Sequence, residues 1–160
     1  MAKFFETSQD IMELAVDKFE DTGIAHLGVN LKVMSVSKGK EILSIKRANA
    51  TAEFIAKKSD MVTLTIYEEA FDRLGDEYKT KLMEGVLSNI SYDTEKEKLL
   101  VDNTRYGELF RMRRKYPDYQ DILEAADIVV KQIAEEEKQR KEDEKARKAE
   151  ERAMKRRNNG

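Results

Sequence analysis

The sequence predicts an α+β fold: a small domain with a short mixed or antiparallel sheet packed on helices, plus a long charged C-terminal helix. Three observations carry this. Apolar residues recur at helical spacing near the start. They alternate with period two in segments between residues 27 and 67. Beyond Ile133 large apolar residues all but stop, while Glu, Lys, Arg and Ala continue. The folded domain is therefore expected over 1–133 and a solvent-exposed helical tail over 134–160. A chain of 160 residues suffices for one domain with a hydrophobic core and is short for two.

Thr7 or Ser8 can cap a first helix that carries Asp10 in its first turn. Ile11, Leu14, Ala15, Lys18 and Phe19 follow i, i+3, i+4 spacing, so an amphipathic helix spans about 8–20 and ends at Asp21-Thr22-Gly23. His26 opens the next run. Leu27, Val29, Leu31 and Val33 alternate with Gly28, Asn30, Lys32 and Met34, which reads as a half-buried strand over 27–36. Ser37-Lys38-Gly39-Lys40 is a turn, and 41–46 supplies the hairpin partner. Residues 47–59 read as a loop with a short strand, and 61–67, β-branched and apolar, as the strongest strand. A short helix over 68–74 stops at Gly75. Asp76 caps a longer helix reaching about Ile90, with Leu82, Met83, Val86, Leu87 and Ile90 inward. Ser91-Tyr92-Asp93-Thr94 breaks it, 99–101 is a short strand, and 105–115 is helical up to the single proline, Pro117.

A last helix runs from Asp118 to about residue 155. Ile122, Leu123, Ala126, Val129, Val130 and Ile133 give its first part an apolar face. Its remainder carries Glu137/Lys141, Glu144/Lys148 and Glu151/Lys155 at i, i+4, each adding about 0.2–0.5 kcal/mol to a helix. The a and d positions are not apolar, so this is a solvated single helix and not a coiled coil.

Composition excludes several function classes. Thirty Lys and Arg face 32 Asp and Glu, a formal net charge of −2, so no global field draws the chain to nucleic acid or membrane. No run of apolar residues is long enough to span a bilayer. Residues 1–6 lack the apolar core of a signal peptide, so secretion by that route is not expected. Without cysteine there is no disulfide, thiolate nucleophile or thiolate metal site. His26 is the only histidine; zinc sites usually take two or more His or Cys ligands, and a lone imidazole fits a surface or packing role. There is no Gly-rich phosphate loop, no GxGxxG and no GxSxG, so no cofactor is expected. Glu68-Glu69 reads as acidic bias at a helix N-terminus.

One stretch carries a family resemblance: Ser59-Asp60-Met61-Val62-Thr63-Leu64-Thr65-Ile66, then Glu68-Glu69-Ala70-Phe71-Asp72-Arg73-Leu74, then Asp76-Glu77-Tyr78-Lys79-Thr80-Lys81-Leu82-Met83. With the order of elements over about 8–116, it resembles the phage metallopeptidase family, whose domain is zincin-like. In that family such a stretch leads into a helical HExxH. There, histidines at i and i+4 share one face and hold zinc, and the intervening Glu polarises water. Here Glu84, Gly85 and Ser88 occupy the three positions, a degenerate motif. The family's further ligand falls near Thr104-Arg105-Tyr106, none a His or carboxylate. The resemblance thus implies the fold and argues against the activity, so no metal and no catalytic residue are expected. Gly85 is itself informative, because a mid-helix glycine costs about 1 kcal/mol relative to alanine. Either a neighbouring element packs closely there or the position is a relic.

The leading expectation is a catalytically inactive, metallopeptidase-like phage protein that binds another protein, as a structural or assembly component, in the host cytoplasm or the virion. The alternative is a nucleic-acid-binding protein using basic helix ends: Arg111, Arg113 and Arg114 near Tyr106, Phe110, Tyr116 and Tyr119, and Lys155-Arg156-Arg157. The same six cations are candidates for contacting a protein partner, against the plain reading that they complement helix C-termini. No membrane partner is expected. A third reading, Mg or Ca held by Glu84 with Asp93 or Asp102, lacks a third convergent acid in the spacing.

Overall fold

The computed structural model describes residues 2–159. Strands β1 (Phe4–Phe5), β2 (Asn30–Val36), β3 (Leu43–Arg47) and β4 (Met61–Tyr67) form a sheet in the spatial order β1-β2-β4-β3. β1 is antiparallel to β2, β2 is parallel to β4, and β3 is antiparallel to β4. The fold is α+β, as expected, with a mixed sheet.

The expected hairpin between 27–36 and 41–46 does not form. β4 inserts between the two strands, pairing Leu31 with Val62 on one side and Ile45 with Leu64 on the other. The cause lies in β4 itself: Val62, Leu64 and Ile66 on one face are fully buried, Met61 and Tyr67 on the other nearly so, and a strand covered on both faces belongs inside the sheet. A six-residue connection, 37–42, carries the chain past the slot that β4 later fills.

Other boundaries move as well. β2 starts at Asn30, because Ile24–Leu27 is a 3₁₀ turn bracketed by Gly23 (φ 74°) and Gly28 (φ 89°), conformations that favour glycine. His26 is in that turn, exposed, rather than opening a strand. The stretch 47–59, expected as loop and strand, holds helix α2 (Ala50–Ala56), whose Asn49 side chain accepts a hydrogen bond from Ala52 N–H at 2.7 Å. Gly75, not Asp76, occupies the N-cap of the longer helix, which stops at Leu87. Ile90 and the supposed break after it form a strand, β5 (Ile90–Asp93), antiparallel to β6 (Lys98–Val101).

The remaining helices are α1 (Gln9–Asp21), α3 (Glu68–Asp72), α4 (Asp76–Leu87), α5 (Arg105–Met112) and α6 (Tyr119–Asn158). α1 contributes Ile11, Ala15 and Phe19 to the core, α4 contributes Leu82, Met83, Val86 and Leu87, and the start of α6 contributes Tyr119, Ile122, Leu123 and Ala126. Past Ile133, α6 is held to the body by Arg73, which donates to both Glu136 oxygens at 3.0 and 2.8 Å, and by Lys38–Glu137 at 2.9 Å. Beyond these the helix projects into solvent. Among the described residues no helix is long and apolar enough to cross a membrane.

Candidate functional site

β3 is an edge strand, and its free side borders a groove of about 210 Å³ whose other walls come from α4, the segment before α5, and α6. Six consecutive residues, Glu41 to Lys46, line it. Side chains of a strand alternate between two faces, so a wall of consecutive residues presents the strand's edge.

Register shows what that edge offers. Tyr67 N–H donates to Ile42 O and Ala48 N–H donates to Met61 O, both at 2.8 Å. In an antiparallel ladder the bonded residues alternate, so Ile42, Ser44, Lys46 and Ala48 turn their main-chain groups to β4. Leu43 and Ile45, out of phase with them, turn N–H and C=O away from β4, on the side where the groove lies; both residues are buried, 9 % and 2 % exposed. The groove's apolar lining is completed by Leu82 and Val86 of α4 and by Leu123 and Ala126 of α6. One rim carries an ion pair between Arg105 and Asp127 at 2.8 Å.

The groove's polar end is a buried network. Glu108 is only 9 % exposed. Its two oxygens accept from Asn89 Nδ2 at 3.0 Å and from the Tyr119 hydroxyl at 2.9 Å. Burial pushes the Glu108 carboxyl above its ordinary range, and these two bonds only partly offset it. Burial, with Glu108 beside it, also pushes the Tyr119 phenol up, so it stays a hydrogen-bond donor. Arg111 donates to Asn89 Oδ1, to Asp102 Oδ2 at 3.0 Å and to Ser88 Oγ at 3.4 Å. Asp102 is held down at about 2, first by the Thr104 hydroxyl at 2.6 Å, then by the Thr104 N–H and Arg111.

Glu84, Gly85 and Ser88, the positions that the resemblance aligns with HExxH, lie outside the groove's lining. Glu84 bonds with Lys18 at 3.0 Å, with the Tyr116 hydroxyl at 2.8 Å and with Lys115 at 3.1 Å. Burial opposes its ionisation, but these three donors outweigh burial and leave Glu84 below the usual carboxylate value. Ser88 Oγ donates to Gly85 O at 2.6 Å, and a Cβ on Gly85 would collide with the Tyr119 hydroxyl and reach 2.5 Å from its Cζ. The glycine is there because Tyr119 packs against the helix. The other proposed oxygen ligands are apart: Asp93 accepts from the Glu95 and Lys96 N–H groups in the β5–β6 turn. Among the described residues no three His, Asp or Glu converge on one ion position.

The basic candidates separate. Arg111 turns inward to Asp102 and Asn89, while Arg113 and Arg114 are exposed, Arg114 lying over the Phe110 ring at 5.3 Å. Lys155, Arg156 and Arg157 are in the last turns of α6, roughly 55 Å along the helix axis from Tyr119 at 1.5 Å per residue. They form no single patch with Arg113 and Arg114.

Sequence reasoning missed Glu108, Asn89 and the unpaired edge of β3, and read Tyr119 only as an aromatic beside the basic cluster. One signal existed: Glu108 and Met112 stand at i, i+4 on α5, which places an acid on its buried face. No family model matches the chain, and neither curated proteins nor solved structures yield a match.

Proposed function

We propose that this chain is a metallopeptidase-like phage protein that acts by binding, not by catalysis, and that it takes an extended segment of a protein partner along the edge of β3. The observation that carries the reading is the pairing phase of β3, which turns the main-chain groups of Leu43 and Ile45 away from β4, on the side of a groove whose lining mixes apolar and polar side chains. An added strand would satisfy those groups, and alternate side chains would enter the lining, the usual physics of strand addition. The inactive part of the reading is supported by the engagement of the motif positions: Glu84 is committed to Lys18, Lys115 and Tyr116, and Tyr119 fills the space a side chain at 85 would need.

Selection from a random-peptide display library on the immobilised chain tests this. Selected peptides are expected to lose binding to Ala126→Trp, which fills the groove, provided circular dichroism and Tm show that variant folded. They are also expected to lose binding when N-methylated at alternate residues. Peptides that ignore both changes, or a wild-type chain that binds stoichiometric zinc and cleaves peptides, would overturn it.

A further inference from the structure

The distal part of α6 differs in charge from the rest of the chain. From residue 138 on there are ten Lys or Arg against five Asp or Glu, a net of +5, whereas residues 1–137 carry a net of −7. The helix is continuous to Asn158, so the spacing of these charges fixes their faces. Lys138, Lys141, Lys145, Lys148, Arg152 and Lys155 follow one another at intervals of 3, 4, 3, 4 and 3 residues. At 100° per residue they fall on one stripe. Asp143 and Glu150 fall on the opposite side, Glu142 and Glu151 lie between, and Glu144 borders the stripe, where it pairs with Lys148.

That stripe is not what local helix stability favours. Like charges at i, i+3 and i, i+4 weaken a helix, and interleaved acids would have removed the conflict. Ion pairs relieve only Lys141 and Lys148, through Glu137 and Glu144; among the described residues none is formed by Lys138, Lys145, Arg152 or Lys155. We infer that the stripe is a binding surface for the phosphate backbone of double-stranded nucleic acid. It runs about 26 Å, the length over which one strand of a duplex presents seven or eight phosphates. Lipid is disfavoured because this part of α6 has no apolar face; Met154 is its single large apolar side chain. The acidic body does not repel the duplex, because most of the stripe lies beyond a Debye length of about 10 Å from it. With no aromatic or amide on the stripe to read base edges, the binding is independent of sequence.

The test is fluorescence anisotropy of the full chain with a labelled DNA duplex of about 20 base pairs across a salt series. Six phosphate contacts predict a log–log slope of about −5, which is roughly a 10³-fold loss of affinity between 50 and 200 mM salt. The variant Lys138→Gln, Lys145→Gln, Arg152→Gln is expected to reduce the slope by about 0.9 per substitution. Arg140→Gln with Arg147→Gln, on the opposite face, should leave it nearly unchanged. Circular dichroism establishes that both variants stay helical. Absent or salt-independent binding, or equal losses from the two faces, would overturn the inference. So would displacement by polyglutamate at lower charge concentration than by duplex, which would assign the stripe to an acidic protein.

Discussion

The two ends of α6 are one unbroken helix held by different forces. Its first turns carry Tyr119 and Ile122, both fully buried, and Leu123 and Ala126, nearly so. Its last turns bury nothing, and their ion pairs are exposed, such as Lys148–Glu144 at 3.1 Å and Arg147–Glu151 at 3.6 Å. Apolar burial involves no charge for salt to screen, whereas exposed ion pairs are weakened by it. The proximal end therefore belongs to the cooperative core and the distal end behaves as a helix on its own. The contrast also divides the proposed functions: a groove built on packed elements and a charged arm carried away from it.

The sharpest break of this comparison is at Ile122. Replacing it with alanine should cost about 2–5 kcal/mol in denaturant unfolding, with little change in the helicity of the distal arm. Gly85→Ala comes next. Its Cβ meets Tyr119, so overpacking of about 1–3 kcal/mol should outweigh the gain in helix propensity. Combined with Tyr119→Phe it should cost less than the sum of the two changes, measured as a double-mutant cycle.

Glu108 gives a pH signature. Its folded pKa is raised above the unfolded value of about 4.3, so its contribution is fully present below that pH and is lost as pH rises through the folded pKa. Glu108→Gln can keep both bonds, its oxygen accepting from Asn89 and its amide donating to Tyr119. Stability of the wild type relative to this variant should fall with rising pH over that window, followed by urea unfolding. The smallest effect is expected at Glu144→Gln: a loss of at most about 0.5 kcal/mol of distal helix stability, vanishing at high salt, read from the far-ultraviolet signal.

Much of the fold was legible where one period dominated. Ile11, Ala15 and Phe19 gave α1 within a residue at each end, and the apolar run 61–67 gave β4 outright. Pairing was not legible, since alternation names the faces of a strand and not its neighbours; only the burial of β4 on both sides explains why it displaces the hairpin. α2 escaped because it buries none of its residues, leaving Phe54 and Ile55 exposed and no stripe to detect. Gly85 was readable as either a close approach or a relic, and Tyr119 supplies the approaching group. The groove was not readable, because it depends on which strand ends at the sheet's edge and on where α6 returns across it.

Amide hydrogen exchange by NMR, with and without a peptide selected on the wild-type chain, tests the central claim most directly. In the free protein the amides of Ser44 and Lys46, bonded to β4, should exchange slowly, and those of Leu43 and Ile45 should exchange faster. Bound peptide should protect Leu43 and Ile45. Protection that appears elsewhere, or Leu43 and Ile45 already as protected as their neighbours in the free chain, would contradict strand addition at this edge.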